Sequence, residues 1–307
     1  MTNTEKEMKS NLWVLLALVL LFSMGHAQLI DSTLQYLAQD PPSDIPEKFA
    51  PNIISLENEN EFGSVFSKDA SEFFYAVDGN GRAEIRYTRL KNGSWSLPQT
   101  IISHKTYSHN DPFLSPDEKE LYYISDRPLQ GTGDKKDYDI WYSIREIDGW
   151  SEPINVGHPI NTDKNEYYIS FTSEGTLYYS SNHAAEENRD HDFDIYTAKK
   201  KEGVFQEPKR LDNAINSKRY EADVFVSPDE SFLIFCAARK DGLGKGDLYI
   251  SFKAADGSWT VDKNMGERIN SENHELCPFV SADGKYFFFT SNQDIYWVDA
   301  RIIDSYR

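Results

Sequence analysis

The stretch from Glu221 to Phe252, EADVFVSPDESFLIFCAARKDGLGKGDLYISF, decides the fold because related segments recur along most of the chain. Aligned on the serine of SPDE, the other copies begin EFGSVFSKDA, HNDPFLSPDE, EYYISFTSEG and ELCPFVSADG. The copies start at Glu61, His109, Glu166, Glu221 and Glu275, in steps of 48 to 57 residues. This period is slightly longer than that of common propeller repeats, and it indicates one supersecondary unit used five times.

Each copy predicts a four-stranded antiparallel blade, because its apolar residues follow strand patterns and no helical period. The first strand ends at a tight turn such as SPDE, the second is an apolar run such as residues 232–235, and the third begins with an acid, as at Asp247. The fourth strand is predicted to start with an aromatic residue and to be an edge strand, since a proline lies three residues further on. These aromatic residues are Trp95, Trp150, Phe205 and Trp259, and the prolines are Pro98, Pro153 and Pro208.

The two ends of the chain predict a closed ring. The last copy stops after its third strand, whereas residues 46–60 precede the first copy and resemble a fourth strand, with Phe49 in the place of Trp150 and Pro51 close to that of Pro153. We therefore predict an all-β fold, a five-bladed β-propeller whose N-terminal outer strand completes the last blade. Closure of this kind leaves no open sheet edge.

These motifs resemble the TolB-type, WD40-like propeller repeat of bacterial envelope proteins, in which a proline precedes SPDG, an aromatic strand and a D-I-Y strand. The resemblance covers roughly residues 46–303. It implies an exported propeller that binds an envelope or extracellular protein, a peptide or a glycan. Propellers also host enzymes, so the repeat specifies the fold more narrowly than the function.

The N-terminus is typical of a secretory signal peptide. Residues 12–22 form an apolar core that is shorter than a membrane span, and Gly25-His26-Ala27 follows as a small-residue exit. The predicted domains are a signal peptide at 1–27, a linker at 28–45 and the propeller at 46–307. The protein is expected to be periplasmic or extracellular and not to span the membrane after cleavage, with an uncleaved anchor as the alternative. A true start at Met1 or at Met8 stays open.

Charge and cysteine content restrict the partners. A net charge of −18 repels phosphate backbones, so nucleic acid is excluded as a partner, while cations and basic or neutral partners are favoured. Cys236 and Cys277 are expected to be buried thiols, with a disulfide as the alternative. The sequence contains no GxSxG, HExxH, Walker or GxGxxG motif, and no cofactor is predicted.

The first residue of each repeat is expected to face the mouth of the central channel. A ring of carboxylates there would raise some pKa values or recruit a divalent cation. The favoured interpretation is instead that each Glu bonds the backbone of the neighbouring blade or its Asn-Ser/Thr pair. The loops between second and third strands vary most, so we expect recognition there, with their leading basic residues beside the mouth. The predicted ligand-binding residues are Glu61, His109, Arg127, Glu166, His183, Glu221, Arg239 and Glu275.

Other acids have separate interpretations. The acids that begin the third strands, Asp139, Asp194, Asp247 and Asp294, are expected to accept hydrogen bonds from backbone donors of the preceding loop. The run Asp190, His191, Asp192 and Asp194 has metal-ligand residue types, but it lacks the glycine and distal glutamate of an EF-hand, which favours a solvated loop.

Two function classes follow from these residues. The first is a non-catalytic propeller that binds its ligand on the channel-mouth face. The second is a glycoside hydrolase that uses Asp111 and Asp223, which are unique to blades two and four and could face each other across the channel. Hydrolysis needs two carboxyl groups in different environments, whereas the four repeat-equivalent glutamates have similar ones, and this favours binding.

Overall fold

The computed structural model describes residues 31–185 and 191–307. The predicted signal peptide at 1–27 and Asp190 therefore lie outside the described residues. Within the described ranges, no helix is long and apolar enough to cross a membrane. The only helical elements there are short 3-10 turns at Ser32–Leu34, Tyr36–Ala38 and Ala300–Tyr306.

Five antiparallel sheets, one for each repeat, form the blades of a β-propeller, as predicted. The first strands of neighbouring blades contact one another around the axis. The first strands are Asn60–Phe66, His109–Leu114, Glu166–Phe171, Glu221–Val226 and Leu276–Val280. The second strands are Glu72–Asp78, Glu120–Ser125, Leu177–Ser181, Phe232–Ala237 and Tyr286–Ser291. The third strands are Ala83–Lys91, Asp139–Glu146, Asp194–Ala198, Asp247–Phe252 and Asp294–Asp299.

The second strands supply much of the core. Their unbroken apolar runs are buried on both faces because each blade is sandwiched between two others, so that Phe73, Phe74, Leu233 and Phe235 are all 0% exposed. This is the environment that the apolar runs predicted.

In blades one to four the outer strands begin beyond the aromatic residues, and in every blade except blade four the outer strand begins directly after a proline. Trp95 and Trp150 lie in short hairpins, Ser94–Trp95 and Gly149–Trp150, that continue from the ends of the third strands. Proline at the position just before a strand breaks no ladder hydrogen bond, which explains its place there. The outer strands are Gln99–Ile102, Ile154–Asn155, Lys209–Arg210, Lys263–Asn264 and Glu47–Lys48.

The N-terminal outer strand completes the last blade, as predicted. Glu47 pairs with Trp297, and the N–H of Phe49 donates to the carbonyl of Ile295 at 2.8 Å. The predicted register of this strand was wrong, because Pro46 takes the place of Pro153 and Phe49 lies beyond the strand. Phe49 is 0% exposed and packs against the rings of blades five and one.

Part of the segment predicted as a linker packs against this closure. Tyr36 and Leu37 are buried. The Tyr36 ring meets Phe66 and Tyr286 edge-on, with centroids 5.0 and 4.7 Å away, and its hydroxyl donates to Asp283 at 2.7 Å. These residues therefore belong to the folded body.

An asparagine before three of the first strands connects adjacent blades. The side chain of Asn216 accepts from the N–H of Ile195 at 2.7 Å and donates to the Ile195 carbonyl at 3.0 Å. Asn161 and Asn270 make the same pair of bonds with Ile140 and Leu248. Each amide thus holds the third strand of one blade beside the entry to the next.

Candidate functional site

The centre of the propeller is formed by one residue from each first strand, at the third position of the repeat. Every first strand has a β-bulge near this position. A bulge re-aims side chains, and here the bulged residues belong to the strands around the axis. All five have left-handed backbones, with φ of +55° at Gly63, +52° at Asp111, +48° at Tyr168, +52° at Asp223 and +52° at Cys277. We call these five residues the channel layer.

Contacts between blades confirm that this layer is continuous. The Cys277 Sγ atom lies 3.6 Å from Asp111 Oδ1, and the Tyr168 hydroxyl donates to the Pro278 carbonyl at 2.8 Å. A Cβ atom at Gly63 would lie 2.7 Å from Asp111 Oδ1, so only glycine leaves room for that carboxyl group. Residues from blades one, two, three and five therefore meet at the axis.

Asp111 and Asp223 give the layer its chemistry. Each is only 7% exposed. Burial raises the pKa of both carboxyl groups, and the charge of Asp111 further raises the pKa of Asp223. Within residues 31–185 and 191–307, no lysine or arginine compensates either acid. The two acids are therefore a close, buried pair that has no cationic partner in this part of the chain.

A curved row of aromatic rings borders these acids, and the sequence reasoning missed it. Successive ring centroids are 5.6, 4.8, 5.7 and 6.3 Å apart. Asp111 and Asp223 both contribute to the raised pKa of Tyr167, which follows mainly from its burial, so the row lies beside the acids. We call this row the aromatic arc, and its members are Tyr138, Tyr167, Phe193, Tyr220 and His274.

The sequence does contain a signal for the aromatic arc, namely the positions of its members within the repeat. Tyr138 and Phe193 each precede the acid of a third strand, whereas Tyr220 and His274 each precede the first residue of a repeat. Both positions lie at the channel-mouth face. An aromatic residue recurring there could have been recognised beside the repeat.

The segments between second and third strands at the channel mouth differ in length from blade to blade. Counted in residues, the segments between second and third strands are 126–138, 182–193 and 238–246 in blades two to four, but only 79–82 and 292–293 in blades one and five, and the structure describes the blade-three segment only at 182–185 and 191–193. On the side of blades five and one, a groove of about 320 Å³ is lined by residues that include Phe62, His274, Leu276 and Gln293. The loops of blades two and four are thus longer than those of blades five and one, beside which this groove lies.

The opposite end of the channel is narrow and apolar. Val65, Phe113, Phe225 and Phe279 surround a cavity of about 100 Å³ there, and each is at most 8% exposed. Polar groups that could hold a ligand are accordingly concentrated toward the mouth.

The four predicted glutamates do not line the mouth, because each is 0% exposed. Burial raises the pKa of Glu166 to about 8, and its carboxyl group accepts from the hydroxyls of Thr162 at 2.7 Å and Ser181 at 2.9 Å. Glu221 and Glu275 accept from the hydroxyls of Ser217 and Ser271 in the same way, and Glu61 accepts from the Leu56 N–H at 3.1 Å. Three of them therefore bond the Ser or Thr of the Asn-Ser/Thr pair, as the favoured interpretation predicted.

The predicted basic residues cover the blades rather than the mouth. Arg127 lies over the ring of Trp141 at 4.9 Å, and Arg239 lies over Tyr249 at 4.6 Å. Both rings belong to the third strand of the same blade, which is further from the axis. Arg239 also pairs with Asp262 at 2.6 Å.

The two predicted histidines lie in different environments. His109 is 2% exposed, and burial, with Arg127 nearby, lowers its pKa to about 3. It therefore stays neutral at physiological pH. His183 is exposed and packs on the Tyr196 ring at 4.6 Å, which again covers a third strand.

The acids that begin the third strands mostly bond side chains. Asp247 accepts from the N–H groups of Leu243 and Gly244, as predicted. Among the described residues, the other three acids have side-chain partners, which are Lys136 for Asp139, Arg210 for Asp194 and Lys48 for Asp294. Among these, Lys48 and Arg210 come from the outer strands and tie them to the third strands.

The predicted metal candidates do not converge in the described part of the chain. Asp194 is held by Arg210 at 2.6 and 2.7 Å, and His191 is exposed. Asp192 has interactions of its own. Over residues 31–185 and 191–307, no three His, Cys, Asp or Glu side chains are placed to hold a metal ion together. Cys236 and Cys277 are buried free thiols rather than a disulfide.

Comparison with known proteins supports the fold. No family model matches the chain, and no curated protein matches it. The structure is similar to TolB from Acinetobacter baumannii, with a TM-score of 0.51 and 14% identity over 78% of this chain and 54% of that one. It is also similar to a thermostable family-43 glycoside hydrolase, with a TM-score of 0.54 and 13% identity over 80% and 90% of the two chains.

A protein of unknown function from Dyadobacter fermentans aligns with a TM-score of 0.49 and 14% identity, over 85% of this chain and 83% of that one. This chain spans about half the length of the TolB structure. At such identities the similarity establishes the propeller fold alone, and the TolB-type resemblance holds at that level.

Proposed function

We propose that this protein is an exported, non-catalytic propeller that binds a protein, peptide or glycan at its channel mouth. The observation that carries the proposal is the aromatic arc beside the buried acids of the channel layer. Rigid aromatic rings bury large areas at little entropic cost, and they dominate many binding sites. The arc thus provides contact area, and the acids provide polar specificity.

The surroundings of the arc support the same role. Tyr138, Tyr167, Tyr220 and His274 are only partly buried, so each residue keeps some accessible surface. Tyr138 and Phe193 directly precede the third strands of blades two and three, while the groove on the side of blades five and one leaves space for a ligand to enter. The apolar core at residues 12–22 supports export, and the net charge of −18 disfavours nucleic acid.

Binding to peptide and glycan arrays tests this proposal. Tyr167→Ala and Tyr220→Ala should each weaken a captured ligand about ten-fold, or about 1.4 kcal/mol. Tyr142→Ala is the matched control, since Tyr142 is a half-buried tyrosine that stacks on Tyr122 in a blade rather than at the mouth. Ligands that tolerate both mouth variants but are lost on Lys119→Ala would assign binding to the opposite face and refute the proposal.

The second candidate is glycoside hydrolysis by Asp111 and Asp223. The specific observation in its favour is that these two acids share the channel layer, so that one could stay protonated while the other ionises. Against it, both acids have the same kind of environment, without a cation that would keep one ionised. Turnover of aryl glycosides that is lost in Asp111→Asn and Asp223→Asn would favour the hydrolase over the binding protein.

A further inference from the structure

Most buried acids of this protein pair with a cation or accept a hydroxyl hydrogen bond, whereas Asp111 and Asp223 do neither within the described residues. Glu221 lies 3.7 Å from Arg239, Asp194 is paired with Arg210, and Asp126 with Lys135 at 2.7 Å. Glu166 and Glu275 instead accept hydroxyl hydrogen bonds. Burying a carboxylate without a partner is unfavourable, so proteins rarely retain one without a use for it.

The channel layer offers these two acids little compensation. The thiol of Cys277, 3.6 Å from Asp111 Oδ1, is a weak donor. Asp223, which is 7% exposed, has a backbone hydrogen bond from Cys277, and no lysine or arginine among the described residues pairs with it. Its carboxyl group therefore lies at the channel axis beside Asp111 with one backbone donor and without a compensating cation.

The aromatic arc adds a second, independent feature that favours a cation. The faces of Tyr and Phe rings carry negative potential and attract ammonium groups. Tyr167 and Tyr220 lie close enough to the acids for Asp223 to contribute to the raised pKa of both hydroxyls, after burial. The site thus combines anionic groups with ring faces in a protein of net charge −18.

We infer that the channel layer binds a primary ammonium group, held by Asp111 and Asp223 and bordered by the aromatic arc. An ammonium carries three N–H donors, which suit carboxylate acceptors, and a positive charge, which suits two buried carboxyl groups that lack a cationic partner. A neutral sugar would leave the charge uncompensated. This inference rests on the proposed function and names the chemistry of its ligand.

Three probes distinguish the sources of the ammonium group in calorimetry with the full chain at pH 8. They are a tripeptide with one lysine and a blocked N-terminus, a tripeptide with a free N-terminus and no lysine, and 1,4-diaminobutane. If the first probe binds, the ammonium group of the ligand is a lysine side chain. If the second binds, it is a peptide N-terminus, and if only the third binds, it is a free amine. The same lysine tripeptide acetylated at Nε is the neutral control and should bind at least ten-fold more weakly.

Charge-removing variants test the residues. Asp223→Asn and Asp111→Asn should each weaken binding of the preferred probe at least ten-fold, whereas Asp241→Asn, which alters an exposed acid on the mouth face, should change it less than two-fold. Melting of each variant checks that it is folded, and neither asparagine introduces a larger side chain into the layer.

Affinity should also depend on pH. Between pH 8 and pH 5 the acids take up protons while the ammonium stays charged, so binding should weaken at least ten-fold. The other titratable groups facing the acids are Tyr167, Tyr168, Tyr220, Cys236 and Cys277, whose pKa values are raised, and His274, whose pKa is lowered. The first five remain neutral over this range.

Failure of this inference is distinct from failure of the proposed function. If no amine probe binds, or if Asp223→Asn and Asp111→Asn bind the probe as well as the unaltered chain does, the ammonium site is refuted. Array ligands that still require Tyr167 and Tyr220 would then leave the mouth as the binding site for a ligand of other chemistry.

Discussion

Asp111 and Asp223 carry two costs that an ordinary strand residue avoids. Their left-handed backbones, at φ of +52° each, are strained by about 1–3 kcal/mol. Their carboxyl groups are also buried beside each other without a cation. Aspartate tolerates left-handed backbone better than most residues, so its presence at these bulges is understandable, but asparagine would serve there without the charge. The acidic group itself is therefore the feature that needs a function.

Asp223→Asn should stabilise the folded protein at pH 8. The folded-state pKa of Asp223 is raised above its ordinary value, so the stability linked to this group is complete below about pH 4 and is lost as pH rises through the folded-state pKa. Each unit of pKa shift equals about 1.4 kcal/mol, and 1 kcal/mol moves the Tm of a domain of this size by about 2–4 °C.

Thermal melts of Asp223→Asn and the unaltered chain at pH 4 and pH 8 measure this effect. We expect a higher Tm for the variant at pH 8 and little difference at pH 4. Asp241→Asn should leave Tm unchanged at both values. A lower Tm for Asp223→Asn at pH 8 would show that the acid is compensated.

Gly63→Ala should disturb the channel layer. Alanine at φ +55° is strained, and its Cβ atom would lie 2.7 Å from Asp111 Oδ1 and 2.9 Å from Asp111 Cα. Gly284→Ala is the matched control, since Gly284 has φ +71° but open space around the added atom. We expect Gly63→Ala to lower the free energy of unfolding by about 1–3 kcal/mol more than Gly284→Ala, measured by urea denaturation. Equal losses would mean that the layer can move aside.

Single residues were the hardest scale to predict from the sequence. Asp111 and Asp223 were recognisable because an acid there is unique to two blades. The glutamates were misplaced because repeat position gives the strand on which a residue lies but not its bonding, and nearby Ser and Thr hydroxyls hold the carboxyl groups inward. Tyr138 and Tyr220 were missed because their neighbours in space come from different blades.

At the scale of elements, first, second and third strands follow directly from their apolar patterns. The outer strands do not, because most of them have only two residues and are too short to show an alternation of buried and exposed side chains. Lys48 shows what fixes them instead: it bonds Asp294 at 2.7 Å, as Arg210 bonds Asp194. If each acid at the start of a third strand had been matched with a basic residue of the outer strand, the register of the N-terminal outer strand would have been predicted correctly. The spacing of the aromatic residues instead gave the wrong register.

Asn216→Ala should loosen the junction between blades three and four. The amide satisfies the N–H and the carbonyl of Ile195 and the carbonyl of Leu211, all buried, and an unsatisfied buried polar group costs about 1–3 kcal/mol. We expect a loss of about 2–4 kcal/mol in the free energy of unfolding, measured by urea denaturation. Asn213→Ala, at an exposed position three residues earlier, should change it by less than about 0.5 kcal/mol. A similar small effect at Asn216 would show that packing alone holds the junction.

For the whole molecule, the ring could be predicted by counting strands, because a repeat that lacks its fourth strand must be completed from elsewhere. The pairing of Glu47–Lys48 with Asp294–Asp299 supplies it. The contribution of residues 33–38 could not be predicted, since they match no repeat. Tyr36 packs between Phe66 of blade one and Tyr286 of blade five, which reinforces the same junction.

Two N-terminal deletions should therefore have graded effects. Removal of the chain through Ser43 takes away the buried side chains of Tyr36 and Leu37, each worth about 1.5–3 kcal/mol, so Tm should fall by several degrees while the ring stays closed. Removal through Asn60 also takes away the closing strand and Phe49. It exposes the edge of blade five, and edge strands without partners pair with other chains.

We thus expect the shorter deletion to give a monomer that melts cooperatively, and the longer one to unfold or to form oligomers, as judged by circular dichroism and light scattering. Phe49→Ala separates the two effects, since it keeps the strand but removes a ring that is 0% exposed, at a cost of about 3–5 kcal/mol. If both deletions were tolerated equally, the pairing of Glu47–Lys48 would contribute nothing to the ring. The five first strands would then have to hold the blades together without closure.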